Sequence, residues 1–213
     1  MSGEPDLPEL PATAFAKVDD ADDLEFYLQP RLVTHIDDGA IAALSAFYRQ
    51  TLPAGGVLLD LMSSWVSHLP DDVAYARVIG HGMNTQELAA NPRLDERFVQ
   101  DLNRDPILPL AEASADAAMI CVGVQYLQRP LAVLGELARI LKPGAPIVIS
   151  FSNRCFPTKA VAVWRALDSD GHARLVELYL SRAGFERIEI HGLSRGWGAD
   201  PLTVVVGRAP YQA

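Results

Sequence analysis

Tyr27, Arg31 and His35 recur every fourth residue in the segment EFYLQPRLVTHID. A helix through this segment would gather a phenol, a guanidinium and an imidazole on one face, as in the wall of a ligand pocket. The same spacing also suits a solvated face. A second concentration of chemistry lies in SFSNRCFPTKAVAVW. There Asn153, Arg154, Phe156, Lys159 and Trp164 could build a pocket with an anion-binding corner, or form a surface loop with Trp164 in the core. His35 and His81 are the candidates for a general base, since imidazole titrates near neutral pH. His68 reads at least as well as a packed or exposed side chain as it does as a base. The five histidines show no His-x-x-x-His spacing, so no metal site is expected. Cys155 stands beside Arg154, but no catalytic thiol motif surrounds it.

These residues have to be placed by the elements around them. Residues 1–23 form an acidic, proline-containing arm with the run DDADD and no apolar periodicity. Residues 24–52 read as an N-terminal helical lid: a helix from about Leu24, bent or broken at Pro30, then DDGAIAALSAFYRQTLP with Asp37 or Asp38 as cap. From residue 53 to the end, short apolar runs alternate with helical patterns. The strand candidates are 57–61, 76–80, 97–101, 117–123 and 146–152, each expected to be covered on both faces. A helix is expected after the first strand, with His68 a few residues into it. RPLAVLGELARILKPG is the clearest helix, with Pro130 in its first turn and Lys142-Pro143-Gly144 as its stop. The last two strands, FERIEIH and PLTVVVGR, have no helix between them and so imply an antiparallel pair at one sheet edge. The expected fold class is therefore α/β: a Rossmann-like, seven-stranded, mostly parallel sheet with helices on both faces and an antiparallel C-terminal hairpin.

Composition narrows the function. The 213 residues are 49% hydrophobic and 21% charged, which describes a globular chain. A formal net charge of −9, with no Lys/Arg block, argues against nucleic acid and anionic membrane as partners. No apolar run approaches the ~20 residues of a membrane span. Two cysteines and an acidic, proline-rich N-terminus suggest a reduced, cytoplasmic protein. Oligomeric state is left open.

Four segments together carry a resemblance: VLLDL, DLNRDPILPLAEASADAAMICVGVQYL, RPLAVLGELARILKPGAPIVIS and YLSRAGFERIEI. In this order, across roughly residues 57–207, the chain resembles the class I S-adenosylmethionine (SAM)-dependent methyltransferases of the type 11 kind. The most specific piece is RILKPG, about 80 residues after Asp60. The resemblance implies SAM as cofactor, bound beyond the carboxyl ends of the strands where the strand order reverses.

Carried over residue by residue, the resemblance places Asp60 near the methionine amine of SAM. It sets Met62, Ser64 and Val66 where the family has the three glycines of its D-x-G-x-G-x-G turn. Ser63 and Ser64 could supply hydroxyls in place of bare backbone. The acid that usually ends the second strand and binds the ribose falls on Gly82, so Asn84 or His81 would have to take over. Met83 would pack on the adenine, and Asp101 with Leu102 would meet its amino group. Tyr126, just past the fourth strand, joins Tyr27, Arg31, Asn153, Arg154 and Trp164 as acceptor-side candidates.

The expected activity is in-line transfer of the SAM methyl group to a small-molecule acceptor. The alternative is a methyltransferase-fold protein that binds a ligand or partner without catalysis, which the lost glycines and ribose acid would also suit. A nicotinamide-dependent reductase is disfavoured, because there is no G-x-G-x-x-G turn after Asp60 and no Tyr-x-x-x-Lys pair.

Overall fold

The computed structural model describes residues 7–11, 13–196 and 198–211. Seven strands form one sheet: β1 (Val57–Leu61), β2 (Arg77–Gly82), β3 (Glu96–Val99), β4 (Ala117–Cys121), β5 (Pro146–Ser152), β6 (Glu186–Ser194) and β7 (Leu202–Arg208). Their order is β3-β2-β1-β4-β5-β7-β6. The first five run parallel, and β7 lies antiparallel between β5 and β6. The strand order reverses at β1 and β4, so the crevice for a ligand opens beyond Leu61 and Cys121.

Alternation along the central strands splits the core into two layers. Leu59, Ile120 and Ile149 face one side. They meet Leu134 of α4 (Pro130–Ile140) and Val176 of α6 (Ser169–Arg182) there. Leu58, Met119 and Val148 face the other side, against Ala40, Leu44 and Tyr48 of α2 (Asp38–Thr51). Pro130 opens α4 where its missing N–H is not needed. Asp37 caps α2 by accepting from Ala40 N at 2.9 Å, and Asp168 caps α6 by accepting from Gly171 N at 2.8 Å. The short helices are α1 (Asp23–Phe26), α3 (Thr85–Ala90) and α5 (Ala162–Ala166).

One expected helix does not form and another is cut short. Residues 62–76, between β1 and β2, are irregular throughout. Side chains do there what helix backbone bonds would have done. Ser63 and Ser67 donate to Asp60, Asn91 Nδ2 donates to Ser64 O, and Arg93 donates to Pro70 O and Val73 O. The helix expected from Leu24 reaches only Phe26. Beyond it Asn84 Nδ2 donates to the carbonyls of Tyr27 and Leu28, and Arg31 N donates to Glu87. Tertiary partners thus take the backbone groups that a helix through Pro30 would have used.

The described part of the N-terminal arm is a strap. Leu7 and Ala14 are buried. Ala162 N and Val163 N donate to Ala16 O and Ala14 O, and Asp19 N donates to Thr158 O at 2.9 Å. Residues 1–6 and 12 of the arm lie outside the described residues. α2 is part of the core rather than a cover, while residues 23–35 of the strap reach the ligand crevice.

Candidate active site

A cavity of about 380 Å³ opens at the carboxyl ends of β1, β2 and β4, with the strap across it. Asp60 ends β1 on the α2 side and is 2% exposed. Its Oδ2 accepts 2.6 Å bonds from both Ser63 Oγ and Ser67 Oγ, its other oxygen has no hydrogen-bond partner among the described residues, and Asp60 lines the cavity. Burial pushes its pKa up to about 7 despite the two hydroxyls. A carboxyl held at this edge would gain from a ligand ammonium, which would restore its charge.

The turn after Asp60 keeps the shape of a glycine turn without a glycine. Met62 has φ 58°, in the left-handed region where a side chain costs ~1–2 kcal/mol. His68 (φ 54°) and Val122 (φ 47°) share this conformation, and all three line the cavity. Backbone strain of this kind concentrates at functional sites. Met62 N donates to His81 Nδ1 at 3.2 Å and Ser63 N donates to His81 O at 2.7 Å, so β2 holds the turn in place.

Those bonds correct two sequence expectations. With Nδ1 accepting, His81 carries its proton on Nε2, which donates to Gln100 O at 2.9 Å. Both ring nitrogens are spent, the ring is 1% exposed, and desolvation pulls its pKa down to about 4. His81 is a structural pin rather than a free base. Asn84 is N-cap of α3: Oδ1 accepts from Gln86 N and Glu87 N, and Nδ2 carries the strap. Its amide is committed, leaving no donor or acceptor for a ribose.

Gly82 leaves the end of β2 without a carboxylate. A Cβ there would lie 2.5 Å from Ser63 O, so the site has no room for the family acid. Glu87 is the carboxylate that remains on this side of the cavity. It holds the third helical position after Asn84, the spacing of a capping box, yet one oxygen accepts from Arg31 N at 2.6 Å. Burial raises its pKa. The Asn-x-x-Glu spacing was the available signal, and it pointed to a cap instead of a ligand.

Ser63 lines the cavity with its hydroxyl committed to Asp60, whereas the Ser64 hydroxyl has no bond to the described residues. Met83, Asp101 and Leu102 also line it. Asp101 accepts from Asn103 N at 2.9 Å and pairs with Arg104 at 3.5 Å.

On the strap side, Tyr27, Arg31 and His35 come together around one ring, although no helix aligns them. Phe156 lies 6.4 Å from Tyr27 and 5.8 Å from His35 between ring centres, with the Arg31 guanidinium 5.3 Å from its centre. Tyr126 stacks on Phe156 at 6.0 Å and accepts from Phe156 N through its hydroxyl. Tyr27, His35, Tyr126, Asn153 and Phe156 line the cavity; Arg31 stands behind the rings. His68, in the loop after β1, lines it as well.

The expected anion-binding corner is absent. Arg154 is the only Lys or Arg among the described cavity-lining residues, and its guanidinium is paired with Asp200 at 3.0–3.1 Å. Lys159 is 1% exposed and pairs with Asp19 at 3.2 Å and Asp23 at 3.1 Å, fastening the strap. Trp164 is 3% exposed in the core, stacked 3.9 Å from the His172 ring, and does not line the cavity. Burial raises the pKa of Cys155, so Arg154 does not activate it. No described group of three or more His, Cys, Asp or Glu is placed to hold a metal. No described helix is long and apolar enough to cross a membrane.

A SAM-sized ligand is tested by these facts. The cavity volume, the left-handed turn at Met62 and the buried carboxyl of Asp60 are compatible with the methionine end of such a ligand, and Asp101 and Leu102 line the same cavity. The β2 end departs from the family, with Glu87 in reserve.

Residues 63–149 match the family model described as "Methyltransferase domain". By sequence, no curated protein matches the chain. Among solved structures, a SAM-dependent methyltransferase from Aquifex aeolicus superposes with a TM-score of 0.60 at 16% identity, covering 88% of this chain and 97% of that one. One from Mesorhizobium loti gives 0.55 at 17% identity, covering 78% and 97%. Phosphoethanolamine N-methyltransferase 2 from Haemonchus contortus, solved with SAM, gives 0.57 at 14% identity, covering 80% of this chain and 52% of that one. At such identities the superpositions speak for the fold. Together with the matched domain and the β3-β2-β1-β4-β5-β7-β6 sheet, they show that the chain has the fold of the class I SAM-dependent methyltransferases.

Proposed function

We propose that the protein transfers the methyl group of SAM to a small-molecule acceptor. The observation that carries this reading is the cavity at the strand-order reversal, with buried Asp60 at one side and the Tyr27–Tyr126–Phe156 wall at the other. When bound, SAM supplies a methyl group already activated by a sulfonium. The chain's part is to hold, orient and exclude water. Asp60 faces the ammonium of the methionine end, and Met83, Asp101 and Leu102 take the adenine end. Glu87 offers the carboxylate for the ribose hydroxyls that Gly82 cannot provide. The strap closes the acceptor side, and alignment in a dry pocket of this kind can supply ~7–11 kcal/mol of barrier reduction.

Gly82 also keeps a second reading in view, binding of a ligand without catalysis. Titration calorimetry with SAM and S-adenosylhomocysteine tests the first step. Micromolar binding of both is expected, and no heat at high micromolar concentration would sink the methyltransferase reading. Binding of both without methyl transfer to any acceptor would favour the second.

A further inference from the structure

His35 and His68 stand apart from the other polar groups of the cavity. His35 comes from the strap and His68 from the loop after β1, yet both line the same space. Neither imidazole has a hydrogen-bond partner among the described residues, and neither has a ring nitrogen among the fully buried unpartnered atoms. His68 is held there by a left-handed backbone that a non-glycine residue rarely adopts. Such strain needs surrounding structure to sustain it. Two imidazoles thus line one cavity with no hydrogen-bond partner among the described residues, so a ligand with hydroxyl hydrogen-bonding capacity fits this end.

The surrounding charges narrow the ligand further. The lining carboxylates Asp60, Glu87 and Asp101 face the cavity, and Asp23 at its rim is already paired with Lys17 and Lys159. Arg154 is bound to Asp200, and Arg31 lies 4.5 Å over the Phe26 ring, behind the wall. Among the described lining residues no Lys or Arg is free of a carboxylate partner to meet an acceptor carboxylate or phosphate, and burying such a charge unpaired is costly. The wall itself is aromatic: the ring centres of Tyr27 and Tyr126 lie 6.4 and 6.0 Å from that of Phe156. Flat rings suit it.

We infer that the acceptor is a neutral phenol-type hydroxyl compound, packed against Phe156 and deprotonated by His35 while His68 orients its oxygen. This rests on the methyl-transfer reading above. As the acceptor oxygen bonds to the methyl carbon, the carbon–sulfur bond breaks and its electron pair returns to sulfur. The O–H proton passes to His35, which later releases it to solvent. Both imidazoles are kept neutral by burial, His35 also by Arg31 and His68 also by His35. The pair can hold one proton at most, and desolvation penalises it more at His68, whose pKa is pulled down to about 4.

The test is a titration of the full chain, labelled at histidine, with phenol and with benzoate, each with and without saturating S-adenosylhomocysteine. Phenol is expected to bind, to shift the imidazole resonances of His35 and His68, and to leave those of His81, His172 and His191 in place. Benzoate is expected to bind at least tenfold more weakly. His35→Gln is expected to keep its affinity for S-adenosylhomocysteine while phenol methylation falls by roughly 10²–10⁴. Phenol failing to bind, binding without moving the two imidazoles, or binding no better than benzoate would overturn the inference. Absence of S-adenosylhomocysteine binding would instead overturn the methyl-transfer reading, and the phenol titration without it would still decide the pocket.

Discussion

The carbonyl oxygen of Ser63 stands 2.5 Å from the point where a Cβ on Gly82 would lie. Ser63 N is fixed to His81 O at 2.7 Å, so the carbonyl cannot retreat without breaking the turn after β1. Gly82→Asp, which would reinstate the acid usual at the end of β2, is therefore expected to cost about 1–3 kcal/mol of stability by overpacking. It should weaken SAM binding rather than tighten it. Urea denaturation and calorimetry on the variant check both, and a stable Gly82→Asp with higher affinity would show that the turn yields.

Asp60 gives the chain a pH signature. Its folded pKa, raised by burial to about 7 from 3.8, means that the native state holds a proton that the unfolded state has released. The stability this contributes is full below about pH 4 and lost as pH rises through 7, on the order of 4 kcal/mol across the window at 1.36 kcal/mol per unit. Asp60→Asn should remove this slope, so the variant gains on the wild type between pH 5 and 8 in urea denaturation. His68 and His81, lowered to about 4, lose their contribution as pH falls from 6.5 and are present in both proteins. The same substitution should weaken SAM, and the wild type should release protons on binding near pH 7.

Met62 separates backbone shape from side chain. Met62→Gly relieves a left-handed φ and removes a half-buried thioether, so stability should change by less than about 1 kcal/mol and SAM binding should persist. Met62→Ile keeps the apolar volume but puts a β-branched residue at φ 58°, and should cost about 1–3 kcal/mol. Equal stability of the two variants would mean that the turn is not held in this shape.

Lys159 latches the strap. Lys159→Met leaves Asp19 unpaired and Asp23 with Lys17 and Asn103 alone. Amide exchange over residues 19–31 should accelerate at least about tenfold, at about 1.4 kcal/mol per decade, while exchange in β4 and β5 is unchanged. Unchanged exchange in the strap would assign its hold to Leu7, Ala14 and Asn84 instead.

Trp164→Ala is expected to act on stability alone. It empties a core site shared with Phe151 and His172 and should cost about 3–5 kcal/mol, with no effect on cofactor affinity in the folded fraction. A selective loss of ligand binding would place Trp164 in the site after all.

The sequence by itself determined the sheet. VLLDL and PIVISFS coincide with β1 and β5, the helix between β4 and β5 runs where Pro130 and Lys142-Pro143 set it, and the final pair is antiparallel. Periodicity and helix punctuation are local, so one chain of letters carries them. Asp60 was legible as an acid near the end of an apolar strand and Asp101 through the family resemblance, and both line the cavity.

Only the tertiary structure decided what those neighbours do. Asn84 looked like a ribose partner and is a cap that carries the strap. His81 looked like a base and is pinned at both nitrogens, and Arg154 meets Asp200 from 46 residues away. His68 faces the cavity because the loop after β1 is bonded to Asp60 and Asn91 rather than coiled into a helix. A side chain's role depends on which partners have already claimed its donors and acceptors, and those partners are distant in sequence.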